Sequence, residues 1–263
     1  MFKVSCIQIC STDDVKKNLL VSRKLILKAI KQKSDFIITP ETSSIFGLKK
    51  KKLLKKTTSM NKDIYLKGLR SIAKKYQKWI LTCVIIKEKN KIRNRSVLIN
   101  PKGLIKTYYD KMHMFDVSLS KKEEYFESKT FTAGKSLKTF NLPWGKLGMS
   151  ICYDVRFPNM FRKLAQKGSI FITVPSAFTR TTGKKHWHSL LQSRAIENLC
   201  YIFAPAQCGT HWNGRQTYGH SLIVSPDGKI LKELKKGTGI ISANIDPKKS
   251  IDLRKKIPSL NKS

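Results

Sequence analysis

Three side chains of this chain have the types and positions to do chemistry together. Cys152 follows the short apolar run Leu147 to Ile151, which has the pattern of a buried strand. It precedes Pro158, which can start an amphipathic helix over Asn159 to Gln166. A sharp strand-to-helix turn between them would lift the thiol out of the sheet and leave the next backbone N–H groups free to face an oxyanion. A free cysteine in apolar surroundings is more often a small core residue, so its partners matter. Glu41 stands directly at the end of the apolar strand Asp35 to Pro40 and is one of only seven Glu in the chain. The carboxyl ends of strands are where open α/β sheets keep their sites. Lys111 ends the strand Leu104 to Tyr109, flanked by Asp110 and the apolar Met112 and Phe115, which can draw its amine inward. Such a set would cleave amides unaided: the thiolate attacks, the carboxylate takes the thiol proton, and the ammonium stabilises the oxyanion and favours the thiolate. Neither a metal nor a cofactor is needed.

The elements that must position these groups follow from periodicity. Phe2 to Ile9 alternates as a strand, and Asp13 or Asp14 can cap a helix running to about Lys31. A second helix is expected over Ile64 to Gln77, and strands over Ile80 to Lys87, Ser96 to Asn100 and Leu104 to Tyr109, the last two joined by Pro101-Lys102-Gly103. Val117 to Lys135 is helix-poor and reads as a loop. Leu137 to Leu142 and Lys146 to Ile151 form a hairpin into the cysteine turn, and Ile170 to Pro175 is another buried strand. A loop carrying Phe178 and Thr182 then leads to a helix over Lys185 to Asn198. Strands over Cys200 to Ala206, Gly219 to Val224, Ile230 to Leu234 and Gly239 to Ile245 complete the chain. This alternation of eleven or twelve strands with four or five helices predicts an α/β layered sandwich, and no linker divides residues 1–263, so one domain is expected.

Composition narrows the function classes. The 263 residues carry 53 Lys and Arg against 17 Asp and Glu, a formal charge of +36. Nucleic-acid binders favour Arg for bidentate contacts, whereas here 10 basic residues are Arg and 43 are Lys, spread over every surface segment. The densest run, Lys49 to Lys52 with Lys55 and Lys56, reads as a short solvated helix around Leu53 and Leu54. Diffuse polyanion attraction, with no specific nucleic-acid partner, is the expectation; a catalytically idle basic binding protein is the alternative of another class. Cysteines at 6, 10, 83, 152, 200 and 208 form no C-x-x-C pair, and His186 and His188, two apart, fall on different helix faces, so no metal set is read. The longest apolar runs fall far short of a membrane span and the N-terminus shows no signal-peptide pattern, which predicts a soluble cytoplasmic protein.

Pro40-Glu41, Tyr109-Asp110-Lys111-Met112-His113 and Ser150-Ile151-Cys152-Tyr153-Asp154 resemble the three catalytic motifs of the nitrilase, or carbon–nitrogen hydrolase, superfamily. The likeness covers roughly Lys3 to Pro258 and includes Pro175 to Thr179, Thr182-Gly183 with His186-Trp187, Arg194 to Asn198, Ala206 to Gly209 and Tyr218 to Ser221. It implies a four-layer αββα sandwich, domains that pair as homodimers or larger homo-oligomers through helices after the cysteine strand and the Phe178 loop, and no cofactor. It also implies a supporting glutamate between the Lys and Cys motifs, for which Glu127 fits better than Glu123 or Glu124, expected on an exposed loop. Cys152-Tyr153-Asp154 resembles the amidase branches, and the later blocks resemble most the branch that hydrolyses deaminated glutathione, with ω-amidases and N-carbamoyl-amino-acid amidohydrolases as alternatives. Lys185 and His188 depart from the family's usual Ala and Glu. The implied substrate is a small amide bearing a carboxylate. Arg156, four residues after Cys152, is the candidate reader of that carboxylate, with pairing to Asp154 or Glu197 as its structural alternative. Tyr153 is expected to contribute an oxyanion N–H, and Phe178 and Thr182 are the candidates for the opposite wall.

Overall fold

A computed structural model describes residues 1–120 and 123–261. In chain order the elements are β1 (Phe2–Gln8), α1 (Val15–Lys31), β2 (Phe36–Ile38), α2 (Lys50–Lys56), α3 (Ile64–Tyr76), β3 (Trp79–Glu88), β4 (Lys91–Ile99) and β5 (Ile105–Asp110). Next come β6 (Asp116–Ser120), β7 (Glu123–Phe126), β8 (Lys138–Leu142), β9 (Gly145–Met149), α4 (Pro158–Gln166), β10 (Phe171–Thr173) and α5 (Arg180–Asn198). The chain closes with β11 (Tyr201–Ala204), β12 (Cys208–Thr210), β13 (Gln216–Tyr218), β14 (Ser221–Val224), β15 (Ile230–Leu234), β16 (Gly239–Ile245) and α6 (Pro247–Lys256).

Two six-stranded mixed sheets form the centre, in the orders β16-β1-β2-β3-β4-β5 and β15-β14-β11-β10-β9-β8. In the first, β1, β2 and β3 run parallel and the remaining neighbours antiparallel; in the second, the parallel core is β9, β10 and β11. Period-two alternation decides which face each side chain serves. Phe2, Val4, Cys6, Phe36, Ile38, Leu81 and Cys83 turn into the space between the sheets, whereas Ile7, Ile9, Ile37, Ile80 and Val84 turn outward onto α1 and α3. Rings from the two sheets meet edge to face, Phe2 with Phe171 and Phe36 with Phe203. On the far side Gly148 and Ile172 face Leu164 of α4. Strands buried on both faces read as continuous apolar runs, and the layers are helix, sheet, sheet, helix, as the resemblance implies.

Helix ends follow their caps. Asp14 accepts from the Lys16 and Lys17 N–H groups to start α1, and Asp63 accepts from Leu66 N to start α3. α5 begins at Arg180, five residues before the expected Lys185, because the Thr179 side chain accepts from Thr182 N. Thr182 is therefore in a helical first turn and not on a loop; two threonines and a glycine have low helix propensity, and the cap overrides it. β4 begins at Lys91, five residues earlier than expected, since Arg93 and Arg95 on it are neutralised by Glu88 and Asp110. Val117 to Lys135, expected as a loop, contains the β6–β7 hairpin. Glu123 there accepts from Thr181 Oγ1 at 2.8 Å and is half-buried; Glu124 is exposed, as expected. The lysine-rich α2 is present, but its Leu53 is buried rather than solvated. No helix among the described residues is long and apolar enough to cross a membrane.

Candidate active site

The three strand-end groups converge. Glu41, just beyond β2, places Oε1 2.9 Å from Lys111 Nζ and accepts Ala177 N on Oε2 at 2.8 Å. Lys111, just beyond β5, is 2 % exposed and also donates to Glu127 Oε2 at 2.7 Å. Its segment is fixed by Lys111 N to Asn94 O and by Gly134 N to Lys111 O. A methyl at Gly134 would run into the Asp110 carbonyl oxygen, so the Ala133-Gly134 step closes against Lys111 only without a side chain. Glu127 opens a short 3-10 turn, and its Oε2 also accepts Phe115 N at 2.7 Å. One ammonium thus sits between two carboxylates.

Cys152 occupies the predicted turn. It is buried, and its φ of +50° puts a non-glycine residue in the left-handed region, strain the surroundings must hold. A 3-10 turn over Cys152–Arg156 follows and delivers the chain to Pro158, the first residue of α4. The Tyr153 N–H belongs to the start of that turn, where N–H groups have no intrahelical acceptor. Burial and the neighbouring Glu41 charge push the Cys152 thiol well above its ordinary value, against the pull of Lys111. Burial would raise the Glu41 carboxyl too, but the ammonium of Lys111 and hydrogen bonds from it, Cys152 and Asn94 leave it below its ordinary value. Lys111 is held well above its own: burial works against the charge, and Glu127 and Glu41 outweigh it. The resting set is a protonated thiol beside an ionised carboxylate and an ammonium.

A cavity of about 510 Å³ opens on these groups. Glu41, Lys111, Glu127, Cys152, Tyr153, Phe178 and Thr182 all line it, together with Phe46, Phe115, Tyr125, Phe131 and Arg215. Arg156 does not. In an α-helix residue i+4 shares the face of residue i, but at three residues per turn it is rotated by about 120°. The guanidinium accordingly lies outside, over the rings of Phe178 and Tyr153 at 5.3 and 5.9 Å and 3.2 Å from His186 Nδ1. Nor does it pair with Asp154 or Glu197, the other expected role: Asp154 is engaged elsewhere and Glu197 pairs with Arg194 at 3.0 Å.

Several site residues were given no role from the sequence, although Gln207 and Asp154 lie within blocks that carry the resemblance. Asn94 on β4 donates to Glu41 Oε1 at 2.8 Å and lies 3.4 Å from Glu127 Oε1, linking the two carboxylates. Gln207 donates to the Glu41 carbonyl at 2.9 Å. Asp154 ties the cysteine turn to the lysine segment: Oδ2 accepts Ile151 N and Tyr109 OH at 2.8 and 2.7 Å, and Oδ1 accepts His113 N at 3.1 Å and contacts His113 Nδ1 at 2.7 Å. Only its place within the Cys-Tyr-Asp motif hinted at this. Arg215 carried no signal at all. His188, which stands where the family usually has Glu, joins His220 on Glu233 Oε1, at 3.0 and 2.6 Å; the three groups are close enough to hold a metal, a set sequence spacing missed, and none lines the cavity.

Comparison with known proteins gives the family and the fold. The carbon–nitrogen hydrolase family model matches residues 3–255. A deaminated glutathione amidase of Synechocystis is 37% identical over 98% of this chain and 97% of its own length. Among solved structures, the NitFhit protein of C. elegans superposes with a TM-score of 0.93 at 32% identity, over 100% of this chain; the chain spans 65% of that protein's length. Saccharomyces cerevisiae Nit3, described as a member of branch 10 of the nitrilase superfamily, gives 0.87 at 28% identity, covering 98% of this chain and 94% of its own. The protein is a hydrolase of carbon–nitrogen bonds, and its chain belongs to the carbon–nitrogen hydrolase family.

Proposed function

We propose that the chain is one catalytic domain, a cytoplasmic cysteine amidase that cleaves the C–N bond of a small carboxylate-bearing amide through a thioester, with deaminated glutathione as the substrate. The observation that carries this reading is the convergence of Glu41, Lys111 and Glu127 on Cys152 inside a cavity lined in part by aromatic rings. The name of the Synechocystis relative supports the substrate. Six free cysteines suit a reducing compartment. Homodimers form through α4 and α5, where Ile196 is half exposed.

The groups divide the reaction between them. Because the thiol is held protonated, Glu41 must take its proton as sulfur attacks the substrate carbonyl. The oxyanion that forms meets Lys111 Nζ and the Tyr153 N–H. Glu41 then returns the proton to the leaving nitrogen, the C–N bond breaks, and the acyl group stays on Sγ. Water, deprotonated by Glu41, attacks the thioester; the acid leaves and the thiol regains its proton. Glu127 keeps Lys111 oriented and balanced in charge. Phe178, Thr182 and the Tyr153 ring form walls, and Arg156 braces two of those rings from behind.

The test is a panel of γ-glutamyl 2-oxo amides, ω-amides and N-carbamoyl amino acids scored by release of acid or ammonia. Turnover is expected to favour the 2-oxo amides, with Cys152→Ala folded and inactive. Retained turnover in Cys152→Ala refutes the mechanism, and preference for N-carbamoyl substrates refutes the substrate.

A further inference from the structure

The cavity contains a cation that has no counter-ion among the described residues. Arg215 lies in the β12–β13 connection and lines the same cavity as Cys152. Among the described residues no carboxylate lies within ion-pair distance of it. The nearby glutamates on β7 are otherwise engaged: Glu123 accepts from Tyr125 OH and Thr181, and Glu124 from Ser118. The guanidinium carbon sits 4.8 Å from the Tyr125 ring centroid and 5.3 Å from that of Phe46, so aromatic faces rather than an anion hold it. Nη2 donates to the Ala177 carbonyl at 3.1 Å, and Nε is buried without an acceptor among the described residues. A buried donor on a charged group left unpaired is unfavourable, and a planar fork is the geometry that takes a carboxylate on two parallel bonds.

Its distance from the chemistry is bounded. Ala177 bridges the two, its N–H 2.8 Å from Glu41 Oε2 and its carbonyl 3.1 Å from Arg215 Nη2. With one residue of chain, about 3.5 Å, between those atoms, the guanidinium lies within about 10 Å of the general base. That spacing suits an anionic group a few bonds from the scissile carbonyl.

We infer that Arg215, set between Tyr125 and Phe46, is the specificity-determining residue that binds the substrate's carboxylate in the cavity, in place of Arg156. The inference rests on the amidase reading and names the anchor of its substrate class: a short-chain amide with a free carboxylate on the acyl side.

Two measurements test it. In the first, a γ-glutamyl 2-oxo amide with a free carboxylate is compared with its methyl ester. Arg215→Gln is expected to lower the ratio of kcat/KM, carboxylate over ester, by about 10- to 100-fold, mainly through KM, as loss of a charge-assisted pair predicts. Arg156→Lys should leave that ratio within about threefold. In the second, Cys152→Ala protein is titrated calorimetrically with 2-oxoglutarate, which requires no turnover. Arg215→Gln in that background should weaken binding at least tenfold. If Arg215→Gln does not fold, Arg215→Lys, which keeps the charge and loses the fork, is expected to show a smaller loss of the same ratio. An unchanged ratio together with unchanged 2-oxoglutarate binding overturns the inference while the amidase reading stands. A wild-type protein that hydrolyses neither amide but loses 2-oxoglutarate binding with Arg215 overturns the amidase reading instead.

Discussion

Asp154→Asn changes one oxygen to an NH₂ group and is expected to damage both stability and catalysis. The carboxylate is fully buried and faces donors on both oxygens: Ile151 N and Tyr109 OH on one, His113 N and Nδ1 on the other. Asparagine offers one acceptor oxygen, so either orientation sets its NH₂ against one pair. The tyrosine hydroxyl can rotate and the imidazole can change tautomer, but a backbone N–H cannot, so either Ile151 N or His113 N is orphaned. An orphaned buried donor costs about 1–3 kcal/mol, and turning the surviving charge-assisted bonds into neutral ones adds about 1 kcal/mol. For a chain of this size that lowers Tm by roughly 4–15 °C. Orphaning Ile151 N loosens the residue before the nucleophile; orphaning His113 N loosens the segment that carries Lys111. Displacing either by about 1 Å is expected to lower kcat/KM about 10²-fold. Thermal melts, steady-state kinetics and the rate of Cys152 alkylation by iodoacetamide read the three effects. A Tm within 2 °C of wild type together with kcat/KM within about threefold would falsify the assignment of Asp154 as the tie between the nucleophile and lysine segments.

Glu41→Gln removes the base and sets an amide NH₂ against either Ala177 N or the donors of Lys111 and Asn94; turnover should fall about 10²–10⁴-fold, and acylation at the wild-type rate in single-turnover experiments contradicts its role. Lys111→Ala should lower kcat about 10²–10³-fold, far beyond Lys49→Ala, and equal small effects in parallel assays would assign the oxyanion to the backbone alone. The pH profile carries a sign. The Glu41 carboxyl is depressed in the folded protein, so its contribution to stability is fully present above its ordinary value of 4.5 and is lost as pH falls through the lower folded value. Because thiol and lysine are both raised, kcat/KM should stay flat across neutral pH and fall on the acid side only below about 4.5; an acid limb centred near 6.5 would implicate a histidine instead.

Some of this protein was decided locally. Alternation along Phe2 to Ile9 and the short apolar runs before Glu41 and Cys152 determined that strands end just ahead of those residues, because a strand's two faces are written directly into its side chains. The caps at Asp14 and Asp63 and the proline that opens α4 are likewise local signals. The type and approximate place of the candidate reacting groups followed, and so, by resemblance, did the choice of Glu127 as the glutamate beside Lys111. Tertiary structure decided what depends on pairing across the sequence. The β6–β7 hairpin and the charged start of β4 are polar outside a fold, and they become strands once Tyr125 packs with Phe115 and Arg95 meets Asp110. Asn94, Gln207 and Asp154 serve the site through partners 53, 166 and 45 residues away, distances over which spacing carries no signal. The choice of arginine was decided the same way. A residue four after the nucleophile would share its face in an α-helix; the chain makes a 3-10 turn there, which swings Arg156 behind the wall, and a loop 59 residues later brings Arg215 to the front.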